Sequence, residues 1–183
     1  MTRRLINPVP RVSSSPRHRV TEPYWAFFIG VLFLSLYYAT SLPGLDWYDT
    51  AEFQTTGPVL GISHPPGYPL LNILGRLASL LHSENPARAV TLLNVILGAL
   101  VPALLFLLAR RTGLSPRASG LAALGLGFCP AFWDQAVRAE AYALDACLIL
   151  GALYLPRTLN PGVGALSASG FFPARTRNRP CLR

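Results

Sequence analysis

The chain reads as an all-α integral membrane protein, with about four transmembrane helices and an additional amphipathic helix lying in the interface. Three observations carry that reading. Hydrophobic residues make up 51% of the 183 positions and charged residues only 13%, against about 25% charged in a soluble domain. The apolar residues fall in blocks rather than in mixed periodic patterns. The charges between the blocks alternate in sign along the chain.

Each span follows from uninterrupted apolar length. No charge occurs from Pro23 to Leu45. Residues 24–42 suffice to cross roughly 30 Å of hydrocarbon at about 1.5 Å per residue. A second uncharged run covers 89–109, with Pro102 inside it as a candidate kink that a lipid-embedded helix tolerates. The third expected span, 118–133, is shorter, Gly-rich and carries Pro130 near its end. The fourth, 141–155, contains Asp145; an acid at mid-span costs about 2.5–3.5 kcal/mol on insertion scales. The resulting organisation is a basic tail (1–22), a transmembrane region (23–155) with external loops at 43–88 and 134–140, and a second basic tail (156–183).

Charge placement sets the orientation. Arg3, Arg4, Arg11, Arg17 and Arg19 precede the first span, Arg110, Arg111 and Arg117 lie between spans two and three, and Arg157 follows the fourth. Asp46, Asp49, Glu52, Glu84, Asp134 and Glu140 lie on the other side. The positive-inside rule then places both termini in the cytoplasm and the acidic loops outside, and a bacterial inner membrane is the expected setting. The net charge of +8 comes entirely from arginine, and the expected partner is the bilayer, not nucleic acid. Cys129, Cys147 and Cys181 show no metal or disulfide spacing. A cleaved signal peptide fits the N-terminus poorly, because its basic region exceeds twenty residues and its apolar run is too long.

The two external loops hold the chemistry. Asp46, Asp49 and Glu52 are spaced i, i+3, i+6 and share a face if helical. Such like charges call for compensation by an arginine, a cationic ligand, a metal or a raised pKa. Asp49-x-x-Glu52 equally fits a capping box. His64-Pro65-Pro66-Gly67-Tyr68-Pro69 cannot begin as helix, since a residue before proline is pushed to extended geometry, while Pro69 suits the first turn of a new helix. Over 70–81, Leu70, Ile73, Leu74, Leu77, Leu80 and Leu81 share one face, and Asn72, Arg76 and Ser79 the other, as in an interfacial helix. In the second loop, Trp133 and Tyr142 suit an aromatic belt. Arg138 can pair with Glu140 or reach the first loop, and suits a phosphate.

These segments together resemble the GT-C-type membrane glycosyltransferases, and more closely the protein O-mannosyltransferase-like group. The resemblance rests on Asp49-Thr50-Ala51-Glu52, on His64-Pro65-Pro66-Gly67-Tyr68-Pro69, on the 70–81 helix, on Arg88-Ala89-Val90-Thr91-Leu92-Leu93-Asn94, and on Trp133 with Glu140-Ala141-Tyr142-Ala143-Leu144. It implies the N-terminal part of a GT-C-like fold and transfer of a mannose-like sugar from a polyprenyl-phosphate carrier to a hydroxyl acceptor, protein Ser/Thr among the candidates. Asp49 corresponds to the catalytic base, with Glu52 beside it. His64, Pro65, Pro66, Gly67 and Tyr68 shape the site, and Arg138 and Glu140 match the second-loop segment that contacts the donor. No cofactor or resident metal is expected, although a divalent cation at Asp49 and Glu52 stays open.

GT-C enzymes usually have many more spans. Pro156 to Arg183 turns rich in Pro, Gly, Ser and Arg without an amphipathic period, which reads as disorder or as the aberrant end of a truncated product. The alternatives are a non-catalytic subunit that binds polyprenyl lipid or assists a partner transferase, and a small transporter component, for which the expected repeat halves are not seen.

Overall fold

The computed structural model describes residues 16–159, with side chains described from 22 to 155. The two terminal tails otherwise lie outside the described residues. Seven helices and no strand are found among them: α1 (Pro16–Thr40), α2 (Tyr48–Val59), α3 (Pro69–Leu81), α4 (Pro86–Arg111), α5 (Pro116–Gly127), α6 (Pro130–Val137) and α7 (Tyr142–Leu159).

Helix α4 is the spine, and every other helix packs against it. Its ends are well specified. Asn85 accepts a hydrogen bond from the Arg88 N–H, Pro86 occupies the first turn, and Arg110 and Arg111 face the negative end of the helix dipole. The helix continues through Pro102. Helix α1 lies along α4, and Phe33, Tyr37, Val95, Ala99 and Phe106 form the core between them and α5 and α6. The outer face of α1 presents Tyr24, Trp25, Phe27 and Phe28 at 60–65% exposure. So large an apolar surface on a well-packed helix fits contact with lipid.

Two helices, α1 (from Glu22) and α4, are long and apolar enough to cross a membrane, where the sequence led us to expect four. The third expected span is not one helix. Pro130 lacks an N–H and starts a new helix, so the segment divides at Phe128 and Cys129 into α5 and α6. The 12 residues of α5 cover only about 18 Å. The hydroxyl of buried Tyr37 donates to the Gly127 carbonyl at 2.7 Å, pairing a group that the break frees. The described side chains of α7, Tyr142–Leu155, form an apolar stretch shorter than 18 residues, with Asp145 exposed in its first turn.

Helix α3 is amphipathic as expected, with its polar side turned to the protein. Asn72 and Ser79 are buried against the protein, whereas Leu70, Ile73, Leu77, Leu80 and Leu81 are exposed. A water-facing helix would point the other way. The polar edge is held to α2 by close approach of Gly57 and Gly75, where an added Cβ on Gly75 would lie 3.2 Å from the Gly57 Cα.

Polar groups on the spine fasten both loops. Gln54 of α2 donates to the Thr91 hydroxyl at 2.9 Å and to the Gly44 carbonyl at 3.1 Å. Buried Asn94 donates to the carbonyls of Gln135, at 2.7 Å, and Arg138. Replacing Asn94 with leucine keeps the volume but leaves both carbonyls unpaired. Thermal unfolding in detergent should show a loss of about 1–3 kcal/mol; an unchanged melting temperature would remove Asn94 as the tether of the second loop.

Candidate functional site

The site is built from the first turns of α2, the turn at 63–68, and the segment between α6 and α7. Asp49 and Glu52 lie one turn apart on α2. The capping box does not form. Trp47 holds the N-cap position without a side-chain bond, and Glu52 reaches forward instead of back. Its Oε1 accepts the His64 backbone N–H at 2.6 Å, and its Oε2 lies 2.7 Å from His64 Nδ1. One carboxylate thus fixes both the backbone and the ring of the same residue.

The turn itself is closed by the Gly67 N–H donating to the His64 carbonyl at 2.8 Å across a cis Pro65–Pro66 peptide. Gly67 has φ +94°, a conformation that glycine adopts without steric cost. Tyr68 caps α3 with φ 43°. Its ring meets Phe53 edge-on at 5.1 Å and His64 at 5.3 Å, and His64 lies 5.7 Å from Phe53. The imidazole therefore stands among two aromatic rings with its Nδ1 edge turned to Glu52.

The second loop closes over this group. Half-buried Glu140 accepts the hydroxyl of buried Thr50 at 2.9 Å. It does not pair with Arg138. The Arg138 Nε lies 3.2 Å from Asp134 and 3.7 Å from Asp46 of the first loop, so the reach between loops is the one that occurs. Asp46 is nearly enclosed, at 8% side-chain exposure. Trp133 is half-buried and packs edge-on against Tyr37 at 4.9 Å, inside the bundle rather than in an aromatic belt, whereas Tyr142 is exposed.

Of the residues expected at the site, the fold brings Asp49, Glu52, His64, Tyr68 and Glu140 together, with Arg138 tied to the flanking acids. Asp49, Glu52 and His64 each offer a donor atom within 4.8 Å of the others and are the described residues that could share a cation. Here His64 itself engages both Glu52 oxygens. Asp49 is exposed and makes no hydrogen bond among the described residues. Sequence reasoning missed Thr50, Gln54, Ser63 and the central place of Asn72. Its available signal was polar residues without an evident task next to apolar runs.

The charges shift one another. The His64 hydrogen bond holds the Glu52 carboxyl below its ordinary 4.5. The same bond, helped by the charges of Glu52, Asp49 and Glu140, raises His64 above its ordinary 6.5. Burial pushes Glu140 up, with Asp49 adding to the shift and the Thr50 hydrogen bond opposing it. A depressed acid stabilises the fold above its ordinary value, and the effect is lost as pH falls through its native value. A raised histidine stabilises below its ordinary value, and the effect is lost as pH rises through its native value. The contact is therefore strongest between pH 4.5 and 6.5. The difference in melting temperature between the protein and Glu52→Gln should peak in that window and shrink on both sides. A difference that stays flat across pH would show that the pair is not ionic.

Comparison with known proteins bears on what this geometry serves. The chain matches the family described as Protein O-mannosyl-transferase TMEM260 N-terminal domain over residues 49–157, from Asp49 through nearly all of α7, so both site segments lie inside the match. The mouse Protein O-mannosyl-transferase TMEM260 is 36% identical over 106 residues, covering 57% of this chain and 15% of the mouse protein. The Dictyostelium discoideum protein of the same name is 23% identical over 133 residues, covering 69% of this chain and 16% of that protein. The chain thus spans 15–16% of the length of these relatives. Both are eukaryotic, so the expected bacterial setting draws no support from them. No solved structure matches the chain. With well over half of its residues matched, the chain belongs to the Protein O-mannosyl-transferase TMEM260 N-terminal domain family.

Proposed function

We propose that this chain supplies the acidic external site of a membrane O-mannosyltransferase, which moves a mannose-like sugar from a polyprenyl-phosphate carrier to a hydroxyl, with protein Ser/Thr as the acceptor. The observation that carries the reading is the division of labour between two neighbouring acids. Glu52 is bound on both oxygens by His64, while Asp49, one turn away, is exposed and free of hydrogen bonds among the described residues. A general base needs carboxylate oxygens free to take the proton of the acceptor hydroxyl, and of these two acids only Asp49 has them.

In this reaction Asp49 takes the proton of the acceptor hydroxyl. The acceptor oxygen then bonds to the anomeric carbon of the sugar. The bond from that carbon to the carrier phosphate oxygen breaks, and its electron pair leaves with the lipid phosphate. Glu52 holds His64, and His64 with Pro65, Pro66, Gly67 and Tyr68 forms the wall of the site. Arg138 presents its Nε edge to Asp46 and Asp134; its terminal nitrogens suit the departing phosphate. Glu140, half-buried beside Asp49, helps to orient the substrates. An aliphatic cleft of about 350 Å³ beside the turn, lined by Leu60, Ile62, Pro66, Pro69 and Ile73 among others, suits the hydrocarbon of the carrier.

The same reading places the acidic loops outside the membrane and the arginines at the end of α4 and the start of α5 inside. Helices α1 and α4 cross fully, α5 and α6 together form a broken third crossing, and α7 forms the fourth. In membranes supplied with a polyprenyl-phosphate-linked mannose and an acceptor peptide, Asp49→Asn should reduce transfer by about 10²–10⁴-fold. The same variant should keep its melting temperature, because Asp49 anchors nothing. Transfer at the original rate would mean that the base is another residue.

A further inference from the structure

We infer that Asn72 of α3 is the positioning residue that sets where His64 stands in the site, an inference that rests on the transferase reading only for its effect on catalysis. Asn72 is 4% exposed, and its amide is nearly saturated by the loop that carries His64. Its Nδ2 donates to the carbonyls of Gly61, at 3.1 Å, and Gly67, at 3.2 Å, and contacts the Ser63 hydroxyl at 3.1 Å. Its Oδ1 lies within hydrogen-bond distance of the hydroxyls of Ser63, at 3.2 Å, and Thr56, at 3.3 Å. Gly61 and Gly67 are the two ends of the segment in whose middle His64 lies. One side chain therefore brackets the loop on both sides, while Glu52 holds its centre from α2.

The two anchors act in series. Glu52 can engage both the N–H and the ring of His64 only if the backbone at residues 63–64 is presented at the right height above α2. The Thr56 hydroxyl, which donates to the Glu52 carbonyl at 2.8 Å and so accepts from the Ser63 hydroxyl at 2.9 Å, ties the same network to the turn of α2 that bears Glu52. No substrate contact is needed from Asn72. Its amide supplies the donors that buried loop carbonyls demand and that an apolar residue could not. The position on α3 matters as well. The face opposite Asn72 carries the exposed Leu70, Ile73 and Leu77, so the helix that holds the loop is also the one turned toward lipid.

The test uses the full chain in lipid nanodiscs with labelled histidine, since His18, His64 and His82 are the only three. The titration of His64, which faces Glu52, Asp49 and Glu140, is followed by NMR in the original protein, in Asn72→Leu and in Glu52→Gln. Helical content is checked by circular dichroism. We expect Asn72→Leu to lower the His64 midpoint in the same direction as Glu52→Gln, and the double variant to add little. Transfer should lose about 10- to 100-fold in kcat with little change in the donor KM. Should Asn72→Leu fail to fold, Ser63→Ala removes only one strand of the network and should give a smaller shift of the same sign. Ser79→Ala, buried on the same helix away from the loop, should leave His64 unchanged. A folded Asn72→Leu protein with an unaltered His64 midpoint overturns the inference. If the midpoint moves as expected but transfer is undetectable in every form, the positioning role stands and the transferase reading falls.

Discussion

Buried backbone carbonyls must be paired, and in this protein the pairing of loop backbone to the polar side chains of α4 and its neighbours decides where everything else sits. Asn94 takes the carbonyls of Gln135 and Arg138. Thr91, through Gln54, takes that of Gly44. Without these bonds the two loops would be independent connections. With them, Asp46 and Arg138 come within 3.7 Å, and Thr50 reaches Glu140 across 90 positions of sequence. Each amide or hydroxyl pairs a group that an apolar side chain could not, and a buried group left unpaired costs about 1–3 kcal/mol. The constraint is thus both what the environment demands and what assembles the site.

Given that frame, the electrostatics of the site follow. Five carboxylates, those of Asp46, Asp49, Glu52, Asp134 and Glu140, gather around one arginine and one histidine. Repulsion among them is managed by dividing them among several partners. Asp46 and Asp134 share Arg138, Glu52 has His64, and Glu140 has the Thr50 hydroxyl. Asp49 alone is left to solvent. The two glutamates are pushed in opposite directions, Glu52 down by its bond to His64 and Glu140 up by burial, which is how neighbouring acids come to have distinct roles.

Much of this was legible in the sequence, and the limits were physical. The all-helical class, α1, α4, the start of α3 at Pro69 and the loops bearing the acids could be read from apolar length, from proline and from charge. So could the family, because the two motifs are local and their residue types are chemically unusual. The third span was misread because hydropathy counts residues and does not register that Pro130, with Tyr37 waiting across the bundle to take the Gly127 carbonyl, makes a break more favourable than a continuous helix. The role of Glu52 was open because Asp-x-x-Glu fits a capping box and a long-range clamp equally well; only the 12-residue return of the chain to His64 decides between them. Asn72 was visible as a polar residue on an amphipathic helix, but its four partners come from segments whose approach no local pattern encodes.

The inverted amphipathicity of α3 connects these threads. In water a helix earns its place by hiding Leu70, Ile73 and Leu77; here those residues face outward and Asn72 and Ser79 face in. That arrangement is stable only if the outer surroundings are themselves apolar, so that the protein interior is left to satisfy hydrogen bonds. The consequence is that the helix with the exposed leucine face presents its polar side to the His64 loop. In the proposed membrane setting, a site built this way keeps its acids at the boundary of the bilayer while its scaffold is held from the membrane side. For the proposed transfer, with one substrate anchored in lipid and the other arriving from water, such a placement would let both meet at Asp49 without crossing the packed core.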